Sequence, residues 1–548
     1  MIAALVAVSL FAPGMWWGLP YATDKARAQG WAVDDETPLG ALGEMNDIVS
    51  RERHGNPGYP LFYSFASAAL YAPYLGYLAL TGGFTKSDAG YRPGGLAEPA
   101  RDIRRLSLLS KCLSVLFGVV VVVGALQSGR AAWDVTTGAL GAAFVALMFP
   151  LAYYARTGNV DVPMLAMVAL AVVAYARIVT QGFTAKRAVA LGVFAGLALA
   201  TKEAALGVFL AVPLAVPFIR YGAAPDSMRV GWRSWMLAAG AAFIALGIGS
   251  GLFAYPTKYF DHLRFLAGRV EALPGATMFS ASFPMTLAGH RAYLGFLGEG
   301  LVNMLTLPGF VLSIAGIVLS LRERPRSFLL LIPAVTYVVF LFLLLRFGQL
   351  RYLLPLGFVL GIFAAVGVVT GMRMKNHILR GAVLALGIGA LGIGLLRYVD
   401  LTHAMIRDSR YAAAQWLASQ LQSGDTIEFF GASQKLPNLP DGISIRRATE
   451  WRGMFASYDT SAAKVAAIVA GWETRHPRMI LVIPDHSTRS PGLPYDATVP
   501  PALFRALEAG QLPYRRVARF QSESLIPWVR TPRLDYPMVN PPIHVYAR

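Results

Sequence analysis

The chain has little cysteine and little charge. Its one cysteine, Cys112, excludes a disulfide framework and any cysteine-rich zinc module. Only 15% of its 548 residues are charged, against about a quarter in soluble globular proteins. Hydrophobic residues make up 55%, and the mean hydropathy is +0.50. These values exclude a soluble enzyme built around one large core, and also the disordered, collagen-like and fibrous classes. Most of the apolar surface must face lipid. Acid is scarcer than base: 31 acidic residues stand against 49 basic ones, for a net charge of +18. In so apolar a chain this excess fits basic loops facing anionic lipid and a phosphate-bearing partner, and no nucleic acid is expected. Repeats, low-complexity tracts and an HxxxH pair are also missing, so a divalent metal is permitted but no cofactor is required.

What is present is a series of apolar runs long enough to cross a bilayer. They fall at roughly 2–20, 106–126, 135–154, 162–179, 188–201, 205–219, 234–253, 300–320, 327–345, 352–371 and 381–399. This predicts a mainly α, polytopic membrane protein of about 11 transmembrane helices over residues 1–400. Residues 61–81, rich in Tyr, Ala and Pro, read as an interfacial helix. Ala26-Arg27-Ala28 has the small-x-small form of a signal-peptidase site. No basic region precedes the apolar run, however, so residues 1–20 are read as a retained first span.

Alternate connections collect the cations: Arg130; Lys186 and Arg187; Arg220, Arg229 and Arg233; Arg322, Arg324 and Arg326; Arg373, Lys375 and Arg380. Only Asp134, Asp226 and Glu323 accompany them, so these loops are expected inside. The N-terminus is then cytoplasmic in a cell (inner) membrane. The long loops 21–105 and 254–299 and the tail after residue 400 are periplasmic or extracellular. Asp408–Leu421 reads as an amphipathic helix, Thr426–Phe430, Met479–Ile483 and Ile543–Tyr546 as strands, and 459–473 and 500–509 as helical. Together they predict a small extracytoplasmic α/β domain over 401–548.

Charge at membrane depth is costly and invites a functional reading. Four such places share the expected outer face. Asp34, Asp35 and Glu36 follow the first span, where mutual repulsion suits a general base; a solvated acidic turn is the plainer alternative. Arg156, Asn159 and Asp161 lie within six residues, and Asp161 before Val-Pro also reads as a helix start. Lys202 follows Thr201 between two short apolar runs. Arg346 and Arg351 flank the Gln349 turn; as forked donors they suit phosphate, and as long cations they suit interface anchoring. Carboxylates and cations on one face suit a reaction in which a hydroxyl is deprotonated and a phosphate leaves.

The acidic motif at Asp34-Asp35-Glu36, the Ala155-Arg156…Asp161 turn, Gly196-Leu-Ala-x-x-Thr-Lys202 and Arg351-Tyr-Leu-Leu-Pro355 together resemble GT-C glycosyltransferases. The likeness is to the protein O-mannosyltransferase and lipid A aminoarabinose transferase branch. It covers residues 1–400 in order, and Asp408-Ser-Arg-Tyr-Ala-Ala-Ala-Gln-Trp416 resembles the tail of the bacterial members. The resemblance implies a hexosyl- or pentosyltransferase moving sugar from a polyprenyl-phosphate donor to a hydroxyl of a glycan, lipid or protein, with inversion. It makes Asp34 or Asp35 the base, with Glu36 in the same motif and Asp161 as the second acidic position. Lys202 and Arg351 fall near the carrier phosphate, joined by neighbourhood alone by Arg104, Arg105 and Arg156. A transporter or flippase with a helix broken at Thr201-Lys202 is the alternative, although no matching break occurs in a second half. A polysaccharide ligase or polymerase using the same carriers is a third.

Overall fold

A computed structural model describes residues 1–23, 27–32, 34–35, 37–51, 58–87, 91–210, 212–214, 232–271, 283–323, 325–448, 461–483, 499–529 and 538–548. Glu36 lies outside these residues, as do Arg220, Arg229 and Arg324 of the basic loops. The chain divides into two units. One comprises Met1–Met15, Asp34–Phe84 and Leu106–Tyr398; the other comprises Trp16–Val33, Thr85–Arg105 and Val399–Arg548.

The first unit is helical. Among the described residues five helices are long and apolar enough to cross a membrane, including Asp161–Gln181 and Leu350–Met372. A sixth span results if Leu287–Leu305 and Leu307–Arg322, bent by 104° at Thr306, count as one. Ile2–Phe11, Val135–Ala146 and Leu329–Leu345 are apolar but shorter. Among the described residues some of the eleven apolar runs are therefore interrupted, because hydropathy registers composition and not continuity. Residues 211 and 215–219 of the 205–219 run lie outside the described residues. The 135–154 run breaks before Pro150, and the 327–345 run passes through 3-10, α and π turns. Residues 62–80 do form a helix, but it is not among those apolar enough to span.

Two close approaches set the helices that carry the site. On Ala185–Leu199, a Cβ at Gly192 or Gly196 would collide with the carbonyls of Ala238 and Ala242 on Trp232–Gly249. On Leu354–Met372, Gly367 lies just as close to the Leu312 carbonyl, and Gly316 to that of Phe363. Small residues let helix backbones touch where lipid supplies no hydrophobic drive.

The second unit is built on a five-stranded sheet in the order β2-β1-β3-β5-β4, with β1 Thr426–Phe430, β2 Ser444–Arg447, β3 Met479–Val482, β4 Arg515–Phe520 and β5 Ile543–Ala547. β1 is parallel to β2 and β3; β5 is antiparallel to β3 and β4. Period-2 alternation sorts the side chains. Ile427, Phe429, Leu481 and Val545 pack with Ala413 and Leu417 of the Ser409–Gln420 helix. Phe430, Ile480, Val482 and Tyr546 pack with Ile468, Trp472, Leu503 and Leu507 from the Ala462–Arg475 and Pro501–Glu508 helices. Helices thus cover both faces. The two strands that sequence patterning did not find, β2 and β4, are the edges, whose side chains are mostly exposed.

Within this unit Arg410 is clamped. Its Nε and Nη2 donate to Asp408 at 2.8 and 2.7 Å, its Nη1 to the Gln434 carbonyl at 2.6 Å, and Nη2 also to the Met538 carbonyl. The guanidinium lies 3.8 Å from the Trp31 ring centroid, and Trp17 Nε1 donates to Asp408 at 2.9 Å.

Candidate active site

Four segments of the first unit converge on a chain of ion pairs. Asp161 is the first residue of the Asp161–Gln181 helix, entered through Asn159, whose Oδ1 accepts the Asp161 N–H at 2.8 Å. A carboxylate there also meets the positive end of the helix dipole. Lys202 follows the end of Ala185–Leu199, where the helix stops one turn after Gly196. Arg351 sits in a 3-10 turn, Leu350–Leu353, leading directly into Leu354–Met372. Asp34 occupies the acidic loop in a left-handed conformation (φ 55°), a strained choice for a residue other than glycine.

Lys202 Nζ lies 2.6 Å from Asp161 Oδ1, both side chains buried. Arg351 Nη1 lies 2.6 Å from Asp34 Oδ2, and its Nε 3.8 Å from Asp161 Oδ2. The order is therefore Lys202–Asp161–Arg351–Asp34, two cations alternating with two anions. The Arg351 contacts are close but poorly aligned: Nε, Nη1 and Asp161 Oδ2 make no well-directed hydrogen bond among the described residues. Asp34, at 38% side-chain exposure, is the open end of the chain.

Asp34 and Asp35 diverge. Asp35 Oδ1 accepts the Gly158 N–H at 2.8 Å. Burial pushes its carboxyl above the ordinary value, against the pull of buried Lys111 and of the Gly158 bond, and the charge of Asp34 adds to the rise. Asp35 therefore pins the acidic loop to the Arg156–Asp161 turn, leaving Asp34 for the ion-pair chain.

Two tyrosines escaped the motif reading. The Lys202 ammonium lies 4.3 Å from the centroid of the Tyr352 ring and 5.6 Å from that of Tyr59, an arrangement that steadies a desolvated cation. Burial, then the negative charge of Asp34, lifts the Tyr59 phenol well above its ordinary value, so it stays an O–H donor. Tyr352 lay inside the Arg351–Pro355 motif and could have been found there; Tyr59 carried no signal.

The remaining candidates separate. Arg156 is buried, donating to the Leu10 carbonyl at 2.9 Å and to the Tyr398 hydroxyl, with its guanidinium over the Tyr398 ring. Arg104 and Arg105 are exposed and belong to the second unit. Arg346 is buried, left-handed (φ 40°), and its Nε and Nη1 have no hydrogen-bond partner among the described residues. No group of three or more His, Cys, Asp or Glu able to hold a metal occurs among the described residues.

No protein-family model and no curated protein matches the chain. Among solved structures the chain is similar to ArnT from Cupriavidus metallidurans bound to undecaprenyl phosphate, at 13% identity and a TM-score of 0.42, over 99% of this chain and 97% of that one. It is similar to the Archaeoglobus fulgidus oligosaccharyltransferase in complex with Zn and sulfate at 12% identity and a TM-score of 0.42, over 89% and 68%. It is also similar to the arabinofuranosyltransferase AftD from Mycobacteria at 13% identity and a TM-score of 0.33, spanning all of this chain and 39% of AftD.

Proposed function

We propose that the protein is a membrane glycosyltransferase that moves a sugar from a polyprenyl-phosphate donor to an acceptor hydroxyl at the outer face of the cell membrane. Its N-terminus is then cytoplasmic and its tail unit outside. The observation that carries this reading is the Lys202–Asp161–Arg351–Asp34 chain, which joins an exposed carboxylate to buried cations at the ends of apolar helices.

Chemistry follows from the pairing. The acceptor oxygen attacks the anomeric carbon while the carbon–oxygen bond to the carrier phosphate breaks, through an oxocarbenium-like state. The electron pair of that bond leaves on the phosphate, and the hydroxyl proton passes to a carboxylate. One displacement inverts the anomeric centre. Asp34 is the better-placed base, because Asp35 is engaged by Gly158. A guanidinium and a proton compete for the same Asp34 oxygen. A carrier phosphate that draws Arg351 to itself therefore leaves Oδ2 open to the acceptor, so donor binding readies the base. Lys202 and Arg351 stabilise the departing phosphate. Arg346 adds a buried positive charge whose Nε and Nη1 have no hydrogen-bond partner among the described residues.

Purified protein in nanodiscs, offered a panel of radiolabelled polyprenyl-phosphate sugars with and without acceptor, tests the proposal. Label transfer or free-sugar release with at least one donor, lost in Asp34→Asn, is expected. Lipid-linked sugar crossing the bilayer intact in proteoliposomes, with no bond cleaved, would instead establish a transporter.

A further inference from the structure

At the far end of the Asp161–Gln181 helix lies a polar cavity of about 290 Å³, lined by Gln127, Arg130, Ala131, Arg177 and Gln181. A helix rises about 1.5 Å per residue, so Arg177 and Gln181 stand roughly 24–30 Å along the axis from Asp161. That is close to the roughly 30 Å thickness of a bilayer's hydrocarbon core. With Asp161 at one membrane face, the cavity opens at the other. Its second wall is the Pro99–Ala132 helix, which meets the first closely at Gly124 and Ala169, one turn before Gln127.

The charges here are not balanced. Arg130 and Arg177 are exposed, and neither has an acidic partner among the described residues. Arg187 binds the Gln181 side-chain oxygen at 2.8 Å and the Gln181 and Gly182 carbonyls at 2.7 Å, adding a third cation without an acidic partner among the described residues. The nearest acid along the chain, Asp134, is bound by Arg373 at 2.8 Å. Val135 (60% exposed) and Val189 (41%), five and two residues along the chain from Arg130 and Arg187, add exposed apolar surface. Paired arginines over a polar hollow at span ends, next to exposed aliphatic side chains, match a phosphate with acyl chains attached.

The geometry points to a binding site for the headgroup of an anionic glycerophospholipid at the membrane face opposite Asp161, with Arg130 and Arg177 holding the phosphate. Native mass spectrometry of the full chain, released from nanodiscs of phosphatidylcholine with a minor fraction of phosphatidylglycerol, reads this out. The wild type retains phosphatidylglycerol selectively, and R130Q/R177Q loses about twenty-five-fold in that preference, at about a factor of five per arginine. Arg380→Gln, an exposed cation on another helix, leaves it unchanged. Equal retention of the two lipids, or an undiminished preference in the double variant, overturns the site. Thermal stabilisation by inorganic phosphate in pure phosphatidylcholine nanodiscs, equal to that by phosphatidylglycerol, assigns it to a soluble anion and overturns the lipid. All these residues are exposed or half-buried, and a matching circular dichroism spectrum establishes that the double variant is folded.

Discussion

Each unit buries an arginine against aspartate, and the two are held differently. Arg410 and Asp408 are wholly buried; the guanidinium is bonded through Nε, Nη1 and Nη2 and stacked on Trp31. Arg351 lies as near to Asp34, yet among the described residues its Nε and Nη1 lack well-directed bonds, and its partner is partly exposed. A buried charge with its bonding satisfied serves the fold, since exchanging any partner costs its full desolvation. A buried charge paired but loosely bonded is poised to change partners. The difference separates a clamp from a site, although both are Arg–Asp contacts of under 3 Å.

The largest effect expected is at Asp34. Asp34→Asn should lower turnover at saturating donor by about a hundred- to ten-thousandfold with donor binding retained. Asp35→Asn should cost less in rate and more in thermal stability, through the bond to Gly158. Equal rate losses in the two variants would undo the division of labour drawn between them.

Next come the arginines themselves. Arg410→Ala should destabilise the tail unit by about 3–5 kcal/mol, read as early protease cleavage beyond residue 400. Lysine should not rescue it, because a point charge cannot reproduce the fork. Arg351→Ala should instead weaken donor use in a folded protein, with partial recovery in Arg351→Lys. A proteolytically stable Arg410→Ala, or an unfolded Arg351→Ala, would reverse the comparison.

Packing comes third. Gly196→Ala should cost about 1–3 kcal/mol by overpacking against the Ala242 carbonyl and should disturb the Lys202 turn. Gly240→Ala, where a Cβ meets nothing, should be neutral or stabilising by up to about 1 kcal/mol. Melting of both in the same detergent checks the pair.

The smallest effect is a pH response confined to the tail. Burial opposes ionisation of Glu508, but bonds from Tyr546 and His544 and the charge of Arg516 hold its carboxyl below the ordinary value. Burial holds His544 below its own. Both signs agree. Glu508 contributes stability above its unfolded value that is lost as pH falls through the folded one, and His544, neutral in the fold, loses stability as pH falls below about 6.5. Glu508→Gln should flatten the acid limb of a melting-temperature profile of the tail signal.

Of the candidate site, the four residues that the structure joins in the ion-pair chain were all singled out by sequence, because motifs at span ends put carboxylate and cation at one expected depth. Their order was not, since it depends on which side chains face each other across helices far apart in sequence. The turning of Asp35 away from Asp34 depends on one left-handed residue, and a run of three acids gives no hint of it. Trp17 lies in the first apolar run and Trp31 in the loop that follows it, yet Trp17 donates to Asp408 and the Trp31 ring lies under Arg410. Nothing local announces a partner some 390 positions away. β1, β3 and β5 are apolar enough to declare themselves; β2 and β4, rich in arginine, resemble loops until paired.

Cancellation within the Lys202–Asp161–Arg351–Asp34 chain bears on how a donor arrives. Alternating charges leave almost no field beyond a few ångströms, and Arg346, whose Nε and Nη1 have no hydrogen-bond partner among the described residues, is buried. Such a site does not draw anions out of bulk water, where steering needs a patch of one sign. On the proposed function a lipid-borne phosphate would come by lateral diffusion, and the capture rate should follow its surface density in the bilayer and be nearly indifferent to the salt outside.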